Sequence, residues 1–376
     1  MSRWARPHGT APAGAAPGTV YAGSGRGSGR STTHDDMSRK LFQYHPVFGY
    51  QFIPGVKARI DHEGGGYLVR VNEAGFRSQR EFAPAKTADT FRVLLFGDSA
   101  TAGDGCSNKN RYSDVLEELV PGIEVYNFGL PGTGTDQQYL IHREIGRTIE
   151  HDLVVIAVQA ENIRRIAARF RAFTDDDGRR WLVAKPYFTL EGGHLTLHHV
   201  PPPKEPIHPD QLPVAERDHV DWAGHVGERA WLRKAVTLLG PGAKDWAQKV
   251  SRYQPLPEFD HSDQPAWTLM RAILDMWIGQ IKMSSIVFPI PVYAYVEETS
   301  SADGYQARFR ELSGDARVIV HDPLGDLRRY PRDERRRFRF ERDAHPSPRG
   351  HRALAESLAP VLRTLVERKD VRAACR

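Results

Sequence analysis

The stretch Phe91-Arg-Val-Leu-Leu-Phe-Gly-Asp-Ser99 decides the fold of this chain. Its apolar part, Val93 to Phe96, is continuous rather than alternating, as is typical of a strand buried on both faces of a parallel sheet. The polar residues Asp98 and Ser99 end this strand and precede a predicted helix. Open α/β sheets bind their ligands at the carboxyl ends of their strands, so Ser99 is a candidate functional residue.

Predicted strands and helices alternate outward from this stretch. Apolar runs predict further strands over 123–128, 153–158, 285–296 and 317–321, and helical patterns cover 112–119, 136–149, 305–312 and 348–366. The repeated order of strand and helix indicates a parallel sheet with right-handed crossovers. The predicted fold class is therefore α/β, with a core formed by residues 91–165 and 285–370.

The first ninety residues divide into two segments of different composition. Residues 1–36 are rich in Gly, Ala, Pro, Ser and Arg and lack the apolar core of a signal peptide. We therefore expect this tail to be disordered, with Met37 as an alternative start to Met1. Residues 37–90 contain strand-like segments separated by glycine and proline turns, which predicts a small β-rich subdomain ahead of the core.

A long interval separates the third and fourth predicted core strands. We interpret residues 166–284 as a cap or lid, with a hairpin over 187–197 and helical stretches over 227–239 and 264–281. Six of the seven tryptophans lie in this insertion, and five of the six are concentrated in its later part, at positions Trp222, Trp231, Trp246, Trp267 and Trp277. Building the core of the cap is the favoured role for each of them, and stacking on a ligand is the alternative.

The composition excludes several classes of protein. The 376 residues are 40% hydrophobic and 26% charged, which is typical of a globular protein, and no apolar run is long enough for a membrane span. The net charge of +5 arises in Arg-rich stretches without interleaved aromatics, so we expect no nucleic-acid partner. The two cysteines, Cys106 and Cys375, favour neither a disulfide framework nor a zinc site. We expect a cytoplasmic location, no metal and no cofactor.

A glycine-rich segment follows the second predicted strand. It runs from Asn127 through Gly132 to Thr135, and its glycines let backbone N–H groups approach a ligand closely. The segment is similar in composition to a phosphate-binding loop, but such a loop needs Lys and then Ser or Thr after its last glycine. Thr135 and Asp136 follow Gly134 here, so we reject that interpretation.

Two further polar elements occupy corresponding places in the pattern. Asn162 follows the third strand and can either donate to an oxyanion or cap a helix. Asp343-Ala-His345 precedes the last helix and supplies a base with a carboxylate to orient it, as a serine nucleophile requires. His351 lies inside that helix and is interpreted as structural. Alone, each element, including Gly97-Asp98-Ser99, also suits a turn or cap.

In this order the four elements resemble the SGNH hydrolase family, also called GDSL esterases, whose marker blocks carry Ser, Gly, Asn and His. The matching residues are Ser99, Gly132, Asn162 and His345. The resemblance covers roughly residues 91–162 and 319–366, and its variant Asp-x-His block is similar to that of bacterial saccharide-associated branches. It implies a three-layer α/β/α fold with a flavodoxin-like sheet.

The resemblance also implies a catalytic mechanism. Ser99 would attack an acyl carbon, His345 would take its proton, and Asp343 would orient His345. The backbone N–H groups of Ser99 and Gly132 and the amide of Asn162 would form the oxyanion hole.

Two departures from the family pattern concern the third and fourth blocks. Ala160 and Ile163 replace the usual Gly and second Asp of the third block, so only its Asn is kept. The carboxylate stands two residues before His345 rather than three. This makes Asp333 and Glu341 alternatives to Asp343.

Three further residues are candidates for substrate binding. Arg77 ends a segment that resembles one found just ahead of the core in saccharide-linked members of the family, and a surface arginine on a β-turn is the alternative. Asp98 and Arg164 adjoin the predicted nucleophile and the predicted oxyanion donor, and Arg164 also suits a solvated helix face. Cys106, seven residues after Ser99, is interpreted as a loop thiol rather than a catalytic one.

The sequence therefore predicts a serine esterase that removes an O-linked acyl group, such as acetyl, from a saccharide or a small polar metabolite. An acyltransferase with the same triad is the first alternative. A non-catalytic binding module on the same fold is the second.

Overall fold

Strands and helices follow one another in an alternating order, and the computed structural model describes residues 41–175, 177–222 and 254–374. The strands of these segments are β1 (Phe42–His45), β2 (Gly49–Phe52), β3 (Lys57–Ile60), β4 (Tyr67–Arg70), β5 (Phe91–Gly97), β6 (Ile123–Gly129), β7 (Leu153–Gln159), β8 (Phe170–Thr174), β9 (Arg180–Ala184), β10 (Tyr187–Glu191), β11 (His194–His198), β12 (Val220–Asp221), β13 (Ser285–Ile290) and β14 (Val318–Val320). The α-helices are α1 (Ser99–Ala102), α2 (Tyr112–Leu119), α3 (Thr135–Glu144), α4 (Asn162–Arg165), α5 (Pro265–Gln280), α6 (Tyr293–Val296), α7 (Asp303–Arg310), α8 (Leu324–Arg328), α9 (Arg332–Arg335) and α10 (Pro348–Ala374).

The central sheet has five parallel strands in the order β14-β13-β7-β5-β6. In the middle of the sheet, Leu95 of β5 pairs with Asn127 of β6 on one side and with Val155 of β7 on the other. Every residue of β5 is buried, as the continuous apolar run predicts. Numbered along the chain, this is the 2-1-3-4-5 order of doubly wound sheets, whose ligands bind where the strand order reverses. That point lies between β5 and β7.

Helices cover both faces of the sheet. The connection from β5 to β6 steps in one direction along the sheet, and the later connections step in the other. Right-handed crossovers therefore place α2 on one face and α3, α5 and α7 on the opposite face. The packing agrees, because α10 lies against α2 whereas α5 lies against α3. The result is the three-layer α/β/α arrangement.

Aromatic side chains fill the layer between the sheet and α5. The Phe96 ring stacks on Phe128 with centroids 4.9 Å apart and meets the Trp277 ring edge-on at 5.5 Å. Gly146 ends the α3 region, and a Cβ there would stand 2.8 Å from the Phe96 ring. Helix α3 ends at Glu144, and a short 3-10 helix over Gly146–Thr148 follows, so the helix predicted over 136–149 is divided between two elements.

The fourth core strand is also shorter than predicted. Strand β13 ends at Ile290, and α6 begins at Tyr293, so the apolar run to residue 296 is divided between two elements. Pro291 lies between them, and its ring removes the N–H that a further ladder bond would need.

Two hairpins precede the sheet. Strands β1 and β2 form one and β3 and β4 the other, and Phe52, Tyr67 and Val69 from them pack into the main hydrophobic core. The hairpins are therefore packed on the α/β core. The turn between β3 and β4, residues 61–66, extends toward the segment that carries Asp343.

The segment predicted as a cap has two parts. Strands β8, β9 and β12 form a small sheet with its own core of Ala172, Leu182, Leu212 and Val220, and β10 pairs with β11. By contrast, α5 packs against α3 as the crossover from β7 to β13. Its Trp267 and Trp277 are fully buried in the main core rather than in a cap, which corrects the predicted boundary. Trp222 is 39% exposed.

Several predictions fall outside the described residues. These are the disordered tail over 1–36, the first four residues of the β-rich subdomain, the helical stretch over 227–239, Trp231, Trp246 and Cys375. Within the segments that are described, no helix combines the length and apolarity needed to cross a membrane.

Candidate active site

The loops that follow β5, β6 and β7 bring three of the predicted residues to one edge of the sheet. Ser99 is the first residue of α1, Gly132 lies in the loop before α3, and Asn162 is the first residue of α4. The ends of β5 and β6 are level, because Gly97 pairs with Gly129. Short loops after adjacent parallel strands therefore converge at the switch point of the sheet.

Ser99 occupies a tight turn between strand and helix. Asp98 caps α1 by accepting a hydrogen bond from the Ala100 N–H at 3.0 Å, and Ser99 is 5% exposed. As the first residue of a helix, Ser99 has an N–H without an acceptor inside that helix. A glycine is required at position 97, since a Cβ there would overlap the Thr101 side chain.

His345 and Asp343 form a short hydrogen-bonded pair. Nδ1 of His345 lies 2.6 Å from Oδ1 of Asp343, and the His345 backbone N–H donates to the same oxygen at 3.1 Å. Burial lowers the pKa of His345, but the hydrogen bond to Asp343 and the charge of Asp104 outweigh it and raise this pKa to about 9. With Nδ1 donating to a carboxylate, Nε2 is the nitrogen left for a substrate or nucleophile.

The loop after α1 and the loop that carries His345 pack together. The Cys106 thiol lies 3.5 Å from the carbonyl oxygen of Pro346, and a Cβ on Gly105 would overlap the Phe340 ring. Asp98 and Asp104, on either side of Ser99, both act electrostatically on His345.

The carboxylate of Asp343 has a second histidine partner that the sequence did not indicate. Nε2 of His62 lies 3.1 Å from Oδ2 of Asp343, and Glu63 accepts hydrogen bonds from the backbone N–H groups of Arg342 and Asp343. Burial alone would raise the pKa of Asp343, but the donors on His345 and His62 hold it well below its usual range. No local pattern predicts a contact between residues 281 positions apart.

Asn162 has a buried donor without a partner. Its side chain is fully buried, its Oδ1 accepts from Nη1 of Arg165 at 3.0 Å, and its Nδ2 has no hydrogen-bond partner among the described residues. An unsatisfied buried donor costs about 1–3 kcal/mol, so one in a native fold calls for an explanation. Its position after β7 suits a donor reserved for a ligand.

Gly132 has both a positive φ and a crowded surrounding. Its φ is 77°, and a Cβ there would lie 1.4 Å from Nη1 of Arg171. Arg171 belongs to β8 of the insertion and donates to the Tyr50 hydroxyl at 2.7 Å and to the Pro131 carbonyl at 3.3 Å. The sequence did not indicate Arg171, which places a guanidinium directly on the predicted oxyanion-hole glycine.

Asp98 and Arg165 form a buried connection between the first and third loops. Nη1 of Arg165 donates to Oδ2 of Asp98 at 2.8 Å as well as to Asn162. The other Asp98 oxygen accepts from Ala100, so both carboxylate oxygens have partners inside the protein. Asp98 is 0% exposed. This arrangement corrects its predicted role as a substrate contact, because Asp98 holds the loops together.

The two arginines predicted to bind substrate have other partners. Arg77 is 1% exposed, and it donates to the carbonyls of Gly103 and Cys106 and to Asn108 Oδ1. It is thus neither a surface arginine nor a free ligand contact. Arg164 is 54% exposed in its side chain and pairs with Glu258 at 2.6 Å, whereas its neighbour Arg165 lies between Asp98 and Asn162.

Two further residues have structural surroundings. His351 is fully buried, accepts a hydrogen bond from the Tyr112 N–H at 3.3 Å, and burial lowers its pKa to about 3. Burial raises the pKa of the Cys106 thiol to about 12, so it stays protonated. The described segments contain no group of three or more His, Cys, Asp or Glu side chains arranged to hold a metal ion.

Solved structures with a similar fold include proteins described as lipolytic. They include a member of the lipolytic G-D-S-L family from Veillonella parvula (12% identity, TM-score 0.38, covering 72% of this chain and 98% of that chain). A lipase/acylhydrolase from Enterococcus faecalis matches at 15% identity and a TM-score of 0.37, and the match covers 73% of this chain and 96% of that chain. An acetyl xylan esterase matches at 14% identity and a TM-score of 0.39, and the match covers 72% of this chain and 100% of that chain. No family model and no curated protein matches the chain. Likeness at this level carries no activity over to this chain.

Proposed function

We propose that this protein is a serine esterase that cleaves an O-acyl ester through an acyl-enzyme on Ser99. The observation that carries the proposal is the 2.6 Å hydrogen bond between Asp343 and His345, on a loop packed against the loop that follows Ser99. A carboxylate that binds Nδ1 of a histidine fixes its tautomer and stabilises its protonated form, as a general base requires.

In the proposed first step, the Ser99 hydroxyl oxygen bonds to the acyl carbon while its proton passes to Nε2 of His345. The carbonyl π electrons move to oxygen, and the resulting oxyanion accepts hydrogen bonds from the N–H groups of Ser99 and Gly132 and from Nδ2 of Asn162. This role accounts for the unpartnered donor on Asn162.

Collapse of the tetrahedral intermediate breaks the ester C–O bond. His345 returns its proton to the leaving alkoxide, which departs as an alcohol. A water molecule then attacks the acyl-enzyme, again giving its proton to His345, and the carboxylic acid leaves as Ser99 recovers its proton. Asp343 stays ionised throughout, which its lowered pKa supports.

For the substrate, we propose a short acyl group such as acetyl on a saccharide or small polar metabolite. The groups next to Gly132 are polar: the Arg171 guanidinium and the Tyr50 hydroxyl lie against this loop, and Arg165 lies beside Asn162. Polar groups of this kind suit an oxygen-rich alcohol better than a long hydrocarbon chain.

The proposal is tested with p-nitrophenyl acetate and with acetylated sugars, comparing wild type and Ser99→Ala by release of acetate. Hydrolysis by wild type that is lost in Ser99→Ala supports the esterase. If an added alcohol or amine takes the acyl group faster than water, the same triad serves an acyltransferase. Folded protein with no turnover of any ester would contradict both and leave a binding module.

A further inference from the structure

We infer that His62, from the β3–β4 turn of the N-terminal hairpins, is a positioning residue that holds the Asp343 carboxylate for His345. This inference rests on the proposed function, because Asp343 matters for catalysis only if His345 is the base. It assigns a catalytic support role to the N-terminal subdomain, which lies outside the part of the chain that resembles esterases.

The hydrogen bonds of His62 define which of its nitrogens carries the proton. The Gly64 backbone N–H donates to Nδ1 of His62 at 3.2 Å, so Nδ1 is an acceptor. The proton of the neutral ring is therefore on Nε2, which lies 3.1 Å from Oδ2 of Asp343 and donates to it. Asp343 thus accepts from a histidine on each oxygen, His345 on Oδ1 and His62 on Oδ2.

Packing restrains the His62 ring in this orientation. Its side chain is 7% exposed, and it meets the Phe340 ring edge-on at 4.3 Å and the Tyr67 ring at 5.9 Å. The Phe340 ring also fills the space over Gly64 and Gly105, where a Cβ would stand 2.7 Å and 2.5 Å from it. The ring of His62 is therefore fixed between the β3–β4 turn and the segment before Asp343.

The segment that carries Asp343 needs such support. Residues 339–347 form neither helix nor strand and contain one isolated bridge, between Arg339 and Pro346. The Asp343 side chain is 21% exposed, so without His62 its Oδ2 would turn to water and the carboxylate could rotate away from His345. Glu63 anchors the backbone of the same segment through the Arg342 and Asp343 N–H groups.

The test compares three substitutions. His62→Phe keeps a planar ring between Phe340 and Tyr67 but removes the donor, and His62→Gln offers an amide N–H at nearly the same reach. His321→Phe is the matched control, since His321 is also a largely buried ring whose Nε2 contacts the Ser357 hydroxyl at 2.9 Å and Asp326 at 3.9 Å, away from the site. We expect His62→Phe to lower kcat roughly 10- to 100-fold with KM unchanged, because misplaced catalytic groups cost this much. His62→Gln should recover most of the loss, and His321→Phe should show none.

A double-substitution cycle separates positioning from folding. Because His62 acts through Asp343, His62→Phe should change kcat by less than twofold when combined with Asp343→Asn. An equal loss in both backgrounds, or a loss in His62→Phe that tracks a loss of folded protein by circular dichroism, would overturn the inference.

A second readout does not depend on activity. The titration of His345 followed by NMR of histidine-labelled protein should shift to lower pH in His62→Phe, since a loosened Asp343 stabilises the imidazolium less. An unchanged titration contradicts the role of His62, even if the protein proves to hydrolyse no ester. Conversely, a shifted titration in a protein without esterase activity refutes the proposed function alone.

Discussion

At the scale of single residues, the proposed catalysis depends on the ionisation of His345. A general base must be neutral to accept a proton, and the pKa of His345 is raised to about 9 by Asp343 and Asp104 against the opposing effect of burial. We therefore predict that kcat/KM rises with pH through the neutral range and levels off near pH 9. A pH series from 6 to 10 on a neutral ester measures this.

The substitution Asp343→Asn provides the control for that profile. It removes the group that raises the pKa of His345, so the rising limb should move to lower pH while kcat falls on the order of 10⁴-fold. A wild-type profile that levels off near pH 6.5, or a limb that stays in place in Asp343→Asn, would show that His345 is not held by Asp343.

Asn162 should act on the rate and not on binding. If its free Nδ2 donates only to the oxyanion, Asn162→Ala should lower kcat by roughly 10²- to 10³-fold and leave KM within about twofold. Steady-state kinetics on one short ester would show this. An increase in KM with unchanged kcat would indicate that Asn162 binds the ground state instead.

Gly132 allows a comparison between crowding and backbone strain. Gly132 and Gly178 share a φ of 77°, but a Cβ at Gly132 would overlap Arg171, whereas at Gly178 nothing lies within 4 Å. Gly178→Ala should therefore show only the cost of a left-handed alanine, about 1–2 kcal/mol. Gly132→Ala should cost more stability and lower the rate of hydrolysis, since the Arg171 guanidinium must leave its place against the loop. The stability of both variants is measured by urea unfolding, and their activity by ester hydrolysis. Equal losses of stability and activity in the two variants would argue against the contact with Arg171.

At the scale of elements, the loop after α1 is held by Arg77. Arg77→Met would remove a buried donor from the carbonyls of Gly103 and Cys106 and from the Asn108 amide oxygen, and a buried acceptor left unsatisfied costs about 1–3 kcal/mol. We predict a loss of about 3 kcal/mol or more in the free energy of unfolding, measured by urea denaturation. KM should change little, because Arg77 is not a substrate contact.

The exposed Arg164 supplies the matched control for that experiment. It pairs with Glu258 at the surface, so Arg164→Met should change stability by about 1 kcal/mol or less. If Arg77→Met proved as mild as Arg164→Met, the described hydrogen bonds of Arg77 would not be important to the fold.

The elements themselves were largely predictable, because periodicity and continuous apolar runs report on local burial. Strands β5, β6 and β7 and helix α2 lie where the sequence indicates them. The predicted elements are wrong where a contact between residues distant in sequence determines the role of an element. The packing of α5 on α3 makes a predicted cap helix part of the core.

At the scale of the whole molecule, the alternation of strands and helices predicts a parallel sheet whose strand ends share one edge, and the sheet is observed. Polar residues at those strand ends, together with the resemblance to the SGNH family, selected Ser99, Gly132, Asn162 and the pair Asp343–His345 as candidates. These observations could not select His62 or Arg171, because their relevance depends on partners from other elements, Asp343 and Gly132.

The arrangement therefore combines three parts of the chain around one edge of the sheet. The core supplies the residues proposed for chemistry, the insertion places Arg171 on Gly132, and the N-terminal hairpins place His62 on Asp343. In the proposed site, the neighbours of the triplet Gly97-Asp98-Ser99 come from the ends of other strands and from a separate subdomain.

The central claim is that Ser99 is a nucleophile activated by His345, and covalent trapping tests it most directly. A fluorophosphonate probe is incubated with wild type, Ser99→Ala and His345→Ala, and the adduct is located by intact and peptide mass spectrometry. We predict one adduct per chain on the peptide that contains Ser99, no adduct in Ser99→Ala, and strongly slowed labelling in His345→Ala. Folded wild-type protein that stays unlabelled, or that carries the adduct on another residue, would contradict the claim.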